Sequence, residues 1–365
     1  VGGVAEWPGP YAAAMSLDIP LLLGRFDTAI ATLRETYDPF GPGFCIGLAI
    51  EGRTVRTAHH GLAHLEWPQP LAGDTRFYLA SESKFWVGAL VMQAVAAGRI
   101  ALDADMRALL PALASYEHPV LLGHLLRHTS GVDDYLYLWQ MQLGRDESDL
   151  VTQAQALELI RKTEDGDFEP GSRFDYSNSN YVLLADCLER DAGLPLDEIA
   201  RQRLFAPWQL HNTGFENDPH RVLPRRARSY QALAAGGWRE LPVNLGSWGD
   251  GGMWSTLDDL LRAEACLLDD WRRHGSQSLL ARCSADDLRF ASAGQPYRFG
   301  TEILRKDQRQ ILFHGGSFAA FSSLALRSLE EGCALVVLAN AEGFDATAET
   351  WANHLWPGAE LDLAP

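Results

Sequence analysis

The sequence predicts an α+β protein: an antiparallel β-sheet flanked by helices, with an all-helical lobe beside it. Strand-like apolar runs occur near both ends of the chain, at 44–60 and 297–340. Between them lie roughly 200 residues that read as helices broken by loops rich in Gly, Pro, Asp and Asn. Helical patterns also precede the first strand and follow the last. Strands at both ends imply one sheet assembled from both ends, with a cleft against the helical insertion where a site belongs. The implied organisation is an α/β lobe from 20–69 and 290–358, a helical lobe over 70–289, and an N-terminal extension over 1–19.

Residues 20–37 carry apolar side chains at helical spacing and predict the first helix. Phe44 to Ile50 and Thr54 to His60 are joined around Glu51-Gly52 and predict a β-hairpin. Phe85 to Ala97 is apolar on every face yet too short to span a bilayer, so it predicts a helix buried inside the protein. Strands return at Tyr297 to Leu304, Gln310 to Phe313, Phe318 to Arg327 and Cys333 to Asn340. Turn signals such as Lys306-Asp307 and Glu330-Glu331-Gly332 separate them, as in an antiparallel meander. Ala346 to Trp356 predicts a closing helix.

Composition narrows the function. The chain has 365 residues, 47% hydrophobic and 22% charged, which makes it globular. With 31 basic against 48 acidic residues the net charge is -17, which argues against nucleic acid and anionic membranes as partners. The basic cluster Arg221 to Arg228 is broken by proline and reads as a solvated loop. No run approaches the roughly 18 apolar residues of a membrane span, and Leu21 to Leu23 is too short for a signal-peptide core. Five widely spaced cysteines read as reduced packing residues, which points to a cytoplasmic location.

The chemistry begins with Ser81 and Lys84 at the head of the buried helix. A serine there ordinarily caps the helix. Lys84, three residues on, shares its face, and the apolar helix carries both groups inward. Burial disfavours a charged ammonium and makes Lys84 a proton acceptor for the neighbouring hydroxyl. Alone, S-x-x-K is a weak motif.

Two further segments supply partners. Pro170 to Tyr181 is a turn-rich loop before a helix; Tyr176 could pass a proton, and Asn178 or Asn180 could simply cap that helix. His314-Gly315-Gly316-Ser317 falls at a strand junction, where glycines allow close backbone approach and N–H groups can hold an oxyanion. The run from Gly315 to Ala319 is not a G-x-S-x-G elbow, so Ser317 is a poor rival to Ser81.

Other signals are weaker. His124 and His128 stand four apart on a helix without the Glu of H-E-x-x-H, and His59, His60 and His64 lack a ligand cluster, so no metal is expected. Tyr135, in the loop bordering the cleft, and Trp248, before Gly251-Gly252, could line its walls for an apolar acyl group; both suit a core equally well.

Taken in order, S-x-x-K, Y-x-N and H-G-G resemble the serine β-lactamase-like superfamily, which includes penicillin-binding proteins, class C β-lactamases and their esterase and D-aminopeptidase relatives. The resemblance covers about residues 25–345 and extends to Gly98 to Asp103, His124 to Gly131, Pro207-Trp208 and Gly251 to Leu260. It implies a β-lactamase/transpeptidase-like fold and a serine hydrolase working without cofactor or metal through an acyl-enzyme. The implied substrate is a small-molecule or short-peptide ester or amide. Ser81 would be the nucleophile, Lys84 its activator, Tyr176 the general acid/base and Asn178 the substrate-orienting amide. The N–H groups of Ser81 and Ser317 would form the oxyanion hole. His314 would replace the third-motif lysine, which weakens recognition of a substrate carboxylate and favours the esterase and D-aminopeptidase forms. An acyltransferase or peptide cyclase would share the chemistry up to the acyl-enzyme, and a non-catalytic binding homologue would keep only the fold.

Overall fold

Apolar strand runs from the two ends of the chain converge on one sheet. The computed structural model describes residues 17–146, 149–163, 165–287, 289–290, 295–306, 309–357 and 361–363. The sheet strands are β1 (Phe44–Ile50), β2 (Arg53–His60), β3 (Glu302–Lys306), β4 (Arg309–Phe318), β5 (Phe321–Ser328), β6 (Cys333–Ala339) and β7 (Leu361–Leu363). They pair antiparallel in the order β7-β3-β4-β5-β6-β1-β2. β1 meets β6 in register from Phe44↔Ala339 to Ile50↔Cys333, so the N-terminal hairpin completes a sheet begun by the C-terminal meander.

The longer helices are α1 (Ile19–Thr36), α2 (Ser83–Ala96), α3 (Tyr135–Leu143), α4 (Gln153–Lys162), α5 (Asn178–Ala192), α6 (Leu257–His274) and α7 (Ala348–Leu355). Both faces of β1 are covered, which is why Phe44-Cys45-Ile46-Gly47-Leu48-Ala49-Ile50 is buried throughout. Phe44, Ile46, Leu48 and Ile50 pack with Leu22, Phe26 and Ile30 of α1 and Trp351 and Leu355 of α7. Cys45 and Ala49 face Leu257 and Leu261 of α6. Gly47 lets α6 approach, because a Cβ there would lie 2.6 Å from Leu261 Cδ1. α2 runs through the larger core with Phe85, Trp86, Val87, Leu90 and Val91 buried, as its unbroken apolar pattern requires.

Two polar ties cross the layers. Arg327 of β5 donates from Nε and Nη2 to Glu264 of α6, each bond 2.7 Å, with both side chains at most 3% exposed. Asn340 accepts from the Gly43 N–H at 2.8 Å and donates to the carbonyls of Leu62 at 3.0 Å and Arg228 at 2.8 Å.

Several expectations shift. The middle region is not helical throughout: Arg76–Tyr78, Met253–Thr256 and Gly214–Phe215 form a small sheet, and Tyr230–Ala232 pairs with Trp238–Glu240. Strands of two to four residues are too short to display an alternating pattern. The strand expected from Tyr297 begins at Glu302, because the preceding residues turn through a positive φ at Gly300. His314-Gly315-Gly316-Ser317 lies inside the ten-residue β4, not at a junction, since glycine does not interrupt a strand whose neighbours pair on. Of the expected N-terminal extension, residues 1–16 lie outside the described residues. All five cysteines are unpaired, and no described helix is long and apolar enough to cross a membrane.

Candidate active site

The chain leaves the short strand Arg76–Tyr78 and enters a 3-10 turn, Ala80–Glu82, before α2 begins at Ser83. Ala80 takes a φ of +47°, which swings the chain into the turn and presents Ser81 ahead of the helix. Ser81 therefore does not cap α2. Its hydroxyl meets Lys84 Nζ at 3.0 Å.

Lys84 is fully buried in the first turn of α2. Besides Ser81, its Nζ donates to Asn178 Oδ1 at 2.8 Å and to the Asp250 carbonyl at 2.8 Å. Those two partners can only accept, whereas a serine hydroxyl can donate or accept. An ammonium donates to all three. A neutral amine donates to the two fixed acceptors and turns its lone pair to the Ser81 proton. The cradle thus fits both protonation states a proton shuttle needs.

Asn178 opens α5 and is held in turn. Asp134 Oδ2 accepts from its backbone N–H at 2.7 Å and its Nδ2 at 2.8 Å, which leaves Oδ1 for Lys84. The other Asp134 oxygen caps α3 through the N–H groups of Leu136 and Tyr137. Neither expected asparagine cap forms: the cap position is Ser177, and Asn180 instead pins the His128–Gly131 turn through Ser130 Oγ and His128 Nδ1.

Tyr176 reaches the site from the loop before α5. Its ring centroid is 4.9 Å from Lys84 Nζ and stacks on the buried His128 ring at 4.3 Å. Its hydroxyl has no hydrogen-bond partner among the described residues, so amine and serine are bonded while the phenol stands beside them. His128 Nδ1 faces two donors, Ser177 N–H at 3.2 Å and Asn180 Nδ2 at 3.1 Å, and is therefore the bare nitrogen. Burial, then the Lys84 charge, holds His128 neutral.

His314 is buried on β4, with Nδ1 2.7 Å from the Gly315 carbonyl and Nε2 3.1 Å from Tyr297 Oη. The carbonyl can only accept, so Nδ1 carries the proton. Burial and the Lys84 charge push its pKa down to about 3, so it is a neutral imidazole. Gly316 is pressed against the serine turn: a Cβ there would lie 2.1 Å from the Leu79 carbonyl and 2.8 Å from Ser81 N. Ser81 opens onto two cavities. The larger, about 530 Å³, is lined by Tyr176, His314, Gly315, Gly316 and Ser317 among others. The smaller, about 80 Å³, is lined by Tyr78, Leu136, Asn178, Leu245 and Phe318.

Tyr135 and Trp248 line neither cavity. Tyr135 is fully buried, and its hydroxyl meets Ser247 Oγ and Asp250 Oδ2 at 2.8 Å each, so it braces the Asp250 loop from behind. Trp248 is 7% exposed and packs in the core. Sequence reading missed Asp134, Asp250 and Tyr297. Asp134 had a signal, an acidic residue before a helical run; the others sit in loops whose partners are remote in sequence. Among the described residues no group of His, Cys, Asp and Glu could hold a metal ion.

Fold and site together define a class: an α+β protein of transpeptidase-like architecture that buries a lysine against a serine hydroxyl at the mouth of a cleft. The chain belongs to the beta-lactamase family, whose model matches residues 29–356. It is 26% identical over 328 residues to D-aminopeptidase of Brucella anthropi, covering 88% of this chain and 61% of that protein, so it spans under two thirds of that relative's length. The octameric penicillin-binding protein homologue from Pyrococcus abyssi superposes with a TM-score of 0.74 at 21% identity, over 90% of this chain and 74% of that one. The D-stereospecific amidohydrolase from Streptomyces sp. gives 0.71 at 21% identity, over 90% and 98%. At these identities the two structures show the shared fold.

Proposed function

We propose that the protein is a serine hydrolase that cleaves an amide, or an ester of similar shape, through an acyl-enzyme on Ser81. The observation that carries the reading is the buried Lys84 amine, tethered by Asn178 and Asp250 with its remaining valence on Ser81 Oγ. Lys84 takes the hydroxyl proton as Oγ attacks the carbonyl carbon. The N–H groups of Ser81 and Ser317 hold the oxyanion. The C–N or C–O bond breaks as Tyr176, beside Lys84, delivers a proton to the leaving atom. Water, deprotonated by the same pair, then attacks the ester and frees Ser81. Amide cleavage is the better-supported branch, because similar proteins carry the names D-aminopeptidase and D-stereospecific amidohydrolase. Neutral His314 supplies no fixed cation for a substrate carboxylate. The smaller cavity fits a short acyl group.

A fluorophosphonate probe tests the assignment. The parent protein labels at Ser81, and Ser81→Ala abolishes labelling while keeping its melting temperature. Undiminished labelling of the variant removes Ser81 from the role.

A further inference from the structure

The basic cluster Arg221 to Arg228 borders a feature that the reaction at Ser81 does not use. Arg221 and Leu223 line a cavity of about 180 Å³ that shares no lining residue with the two cavities at Ser81. The small sheet of Arg76–Tyr78, Met253–Thr256 and Gly214–Phe215 forms another wall. Thr256 pairs with Arg76 and Trp254 pairs with Gly214, so Arg76, Trp254 and Gly214 stand on one face of that sheet. Gly214 leaves the room between them: a Cβ there would meet nothing within 4 Å, and its φ is not positive.

Arg76 lines this cavity with most of its donors unused. Its Nη2 donates to Asn212 Oδ1 at 3.1 Å, its Nε is buried without a partner, and its Nη1 has none among the described residues. No carboxylate forms an ion pair with it. Asp259, the nearest in effect, spends Oδ2 on the Asn212 N–H at 2.7 Å and Thr213 Oγ1 at 2.9 Å. Burial lowers the Arg76 pKa, with Asp259 opposing and Arg225 assisting, so the guanidinium is short of countercharge. Because Asn212 Oδ1 accepts from Arg76, its Nδ2 offers two more donors, and these have no partner among the described residues. Arg226 lies 5.6 Å over the Trp254 ring and adds a charge without an ion pair among the described residues. Of the charged residues left in the lining, Glu216 is matched by Arg221 at 3.2 Å and Arg201 by Glu198 at 2.6 Å. Asp197 alone is unmatched; it disfavours an anion beside it and leaves Arg76 as the place for one. A half-buried guanidinium with so few partners is uncommon in a folded protein unless something else completes it.

We propose that this cavity is a second binding site, separate from Ser81, for a small carboxylate with an apolar body: its oxygens bind Arg76 and Asn212 Nδ2, and its body lies against Trp254 and Leu223. Arg76 and Asn212 Nδ2 offer donors only, which suits a group that only accepts, and a planar guanidinium matches the edge of a carboxylate. The site stands one side chain from the chemistry. Trp254 packs on Tyr78 with ring centroids 5.3 Å apart, and Tyr78 lines the smaller cavity at Ser81. The inference does not depend on the hydrolase reading above.

Calorimetry on the Ser81→Ala protein separates the inference from catalysis. Phenylacetate and phenylacetamide serve as probes, because they share a shape and differ in charge. The carboxylate binds about tenfold more tightly than the amide. Arg76→Gln brings the two ligands within about twofold. Gly214→Leu, which fills the open space while leaving Arg76 in place, weakens phenylacetate binding by at least about tenfold. Each variant is first shown to melt cooperatively, and if Arg76→Gln does not, Gly214→Leu decides the matter alone. Undetectable binding of phenylacetate, equal binding of the two ligands, or an affinity for phenylacetate that survives Gly214→Leu in a folded protein overturns the inference. Absence of a Ser81 adduct in the parent protein sinks the hydrolase reading and leaves the calorimetric result standing.

Discussion

Glu82, between the serine and the helix, is a residue whose placement composition alone would not forecast. It is 1% exposed, and neither carboxylate oxygen has a hydrogen-bond partner. Burial pushes its pKa up to about 8, with Arg327 working against the shift and Glu264 adding to it. Arg327 turns Nε and Nη2 to Glu264 and makes no hydrogen bond to Glu82, so it offsets a charge there only in part. The folded value lies above the unfolded one. The stability Glu82 contributes is therefore full below the ordinary carboxylate range and is lost as pH rises through about 8. Replacing Glu82 with Gln should leave the melting temperature little changed near pH 5 and raise it above pH 8, by on the order of a few kcal/mol in unfolding free energy. Parallel pH dependence in parent and variant would refute a protonated Glu82.

At the scale of elements, the site is a contact between a turn and a strand. β4 lies so close to Ala80–Glu82 that Gly316 has no space for a methyl group on the side of Leu79 and Ser81. A Cβ there must displace backbone, which does not yield as a flexible side chain would. Gly316→Ala should lower the rate of fluorophosphonate labelling by about 100-fold while shifting stability by roughly 1–3 kcal/mol. Labelling at the parent rate would show that the turn and strand are not held as described. The elements themselves were largely legible in the sequence. Helix α1, the β1–β2 hairpin and α7 fall within a few residues of their expected bounds, because each is a distinct apolar or amphipathic run set off by turn residues. The three motif segments were legible too, and they meet at Ser81. What escaped was the support behind them. Asp134 holds Asn178 through two bonds, Asp250 meets Lys84 and Tyr135, and Tyr297 meets Tyr181 and His314; these partners are remote in the chain, and no local pattern encodes such pairings. Tyr135 misled for a related reason: an aromatic beside a cleft motif reads the same whether it faces ligand or, as here, turns inward to Asp250.

At the scale of the whole molecule, the fold depends on joining chain ends that are remote in sequence. Asn340, fully buried just beyond β6, binds Gly43, Leu62 and Arg228 at once. Asn340→Ala would strand one N–H and two carbonyls in the interior, each worth about 1–3 kcal/mol when left unsatisfied. The expected loss is at least about 3 kcal/mol, read from urea unfolding; a loss below about 1 kcal/mol would mean that the junction relaxes or hydrates freely. The Arg327–Glu264 pair makes a second tie between sheet and helical region.

The pairing of β1 with β6 has a further consequence for biosynthesis. Ser81 and Lys84 leave the ribosome more than 200 residues before the strand that walls them in and the strand that β1 must lie beside. A premature stop codon before Cys333 would release a chain holding Ser81 and Lys84, yet with β1 lacking its neighbour. Nonsense alleles that stop translation before Cys333 should therefore behave as complete losses, because β1 is left without the strand it pairs with.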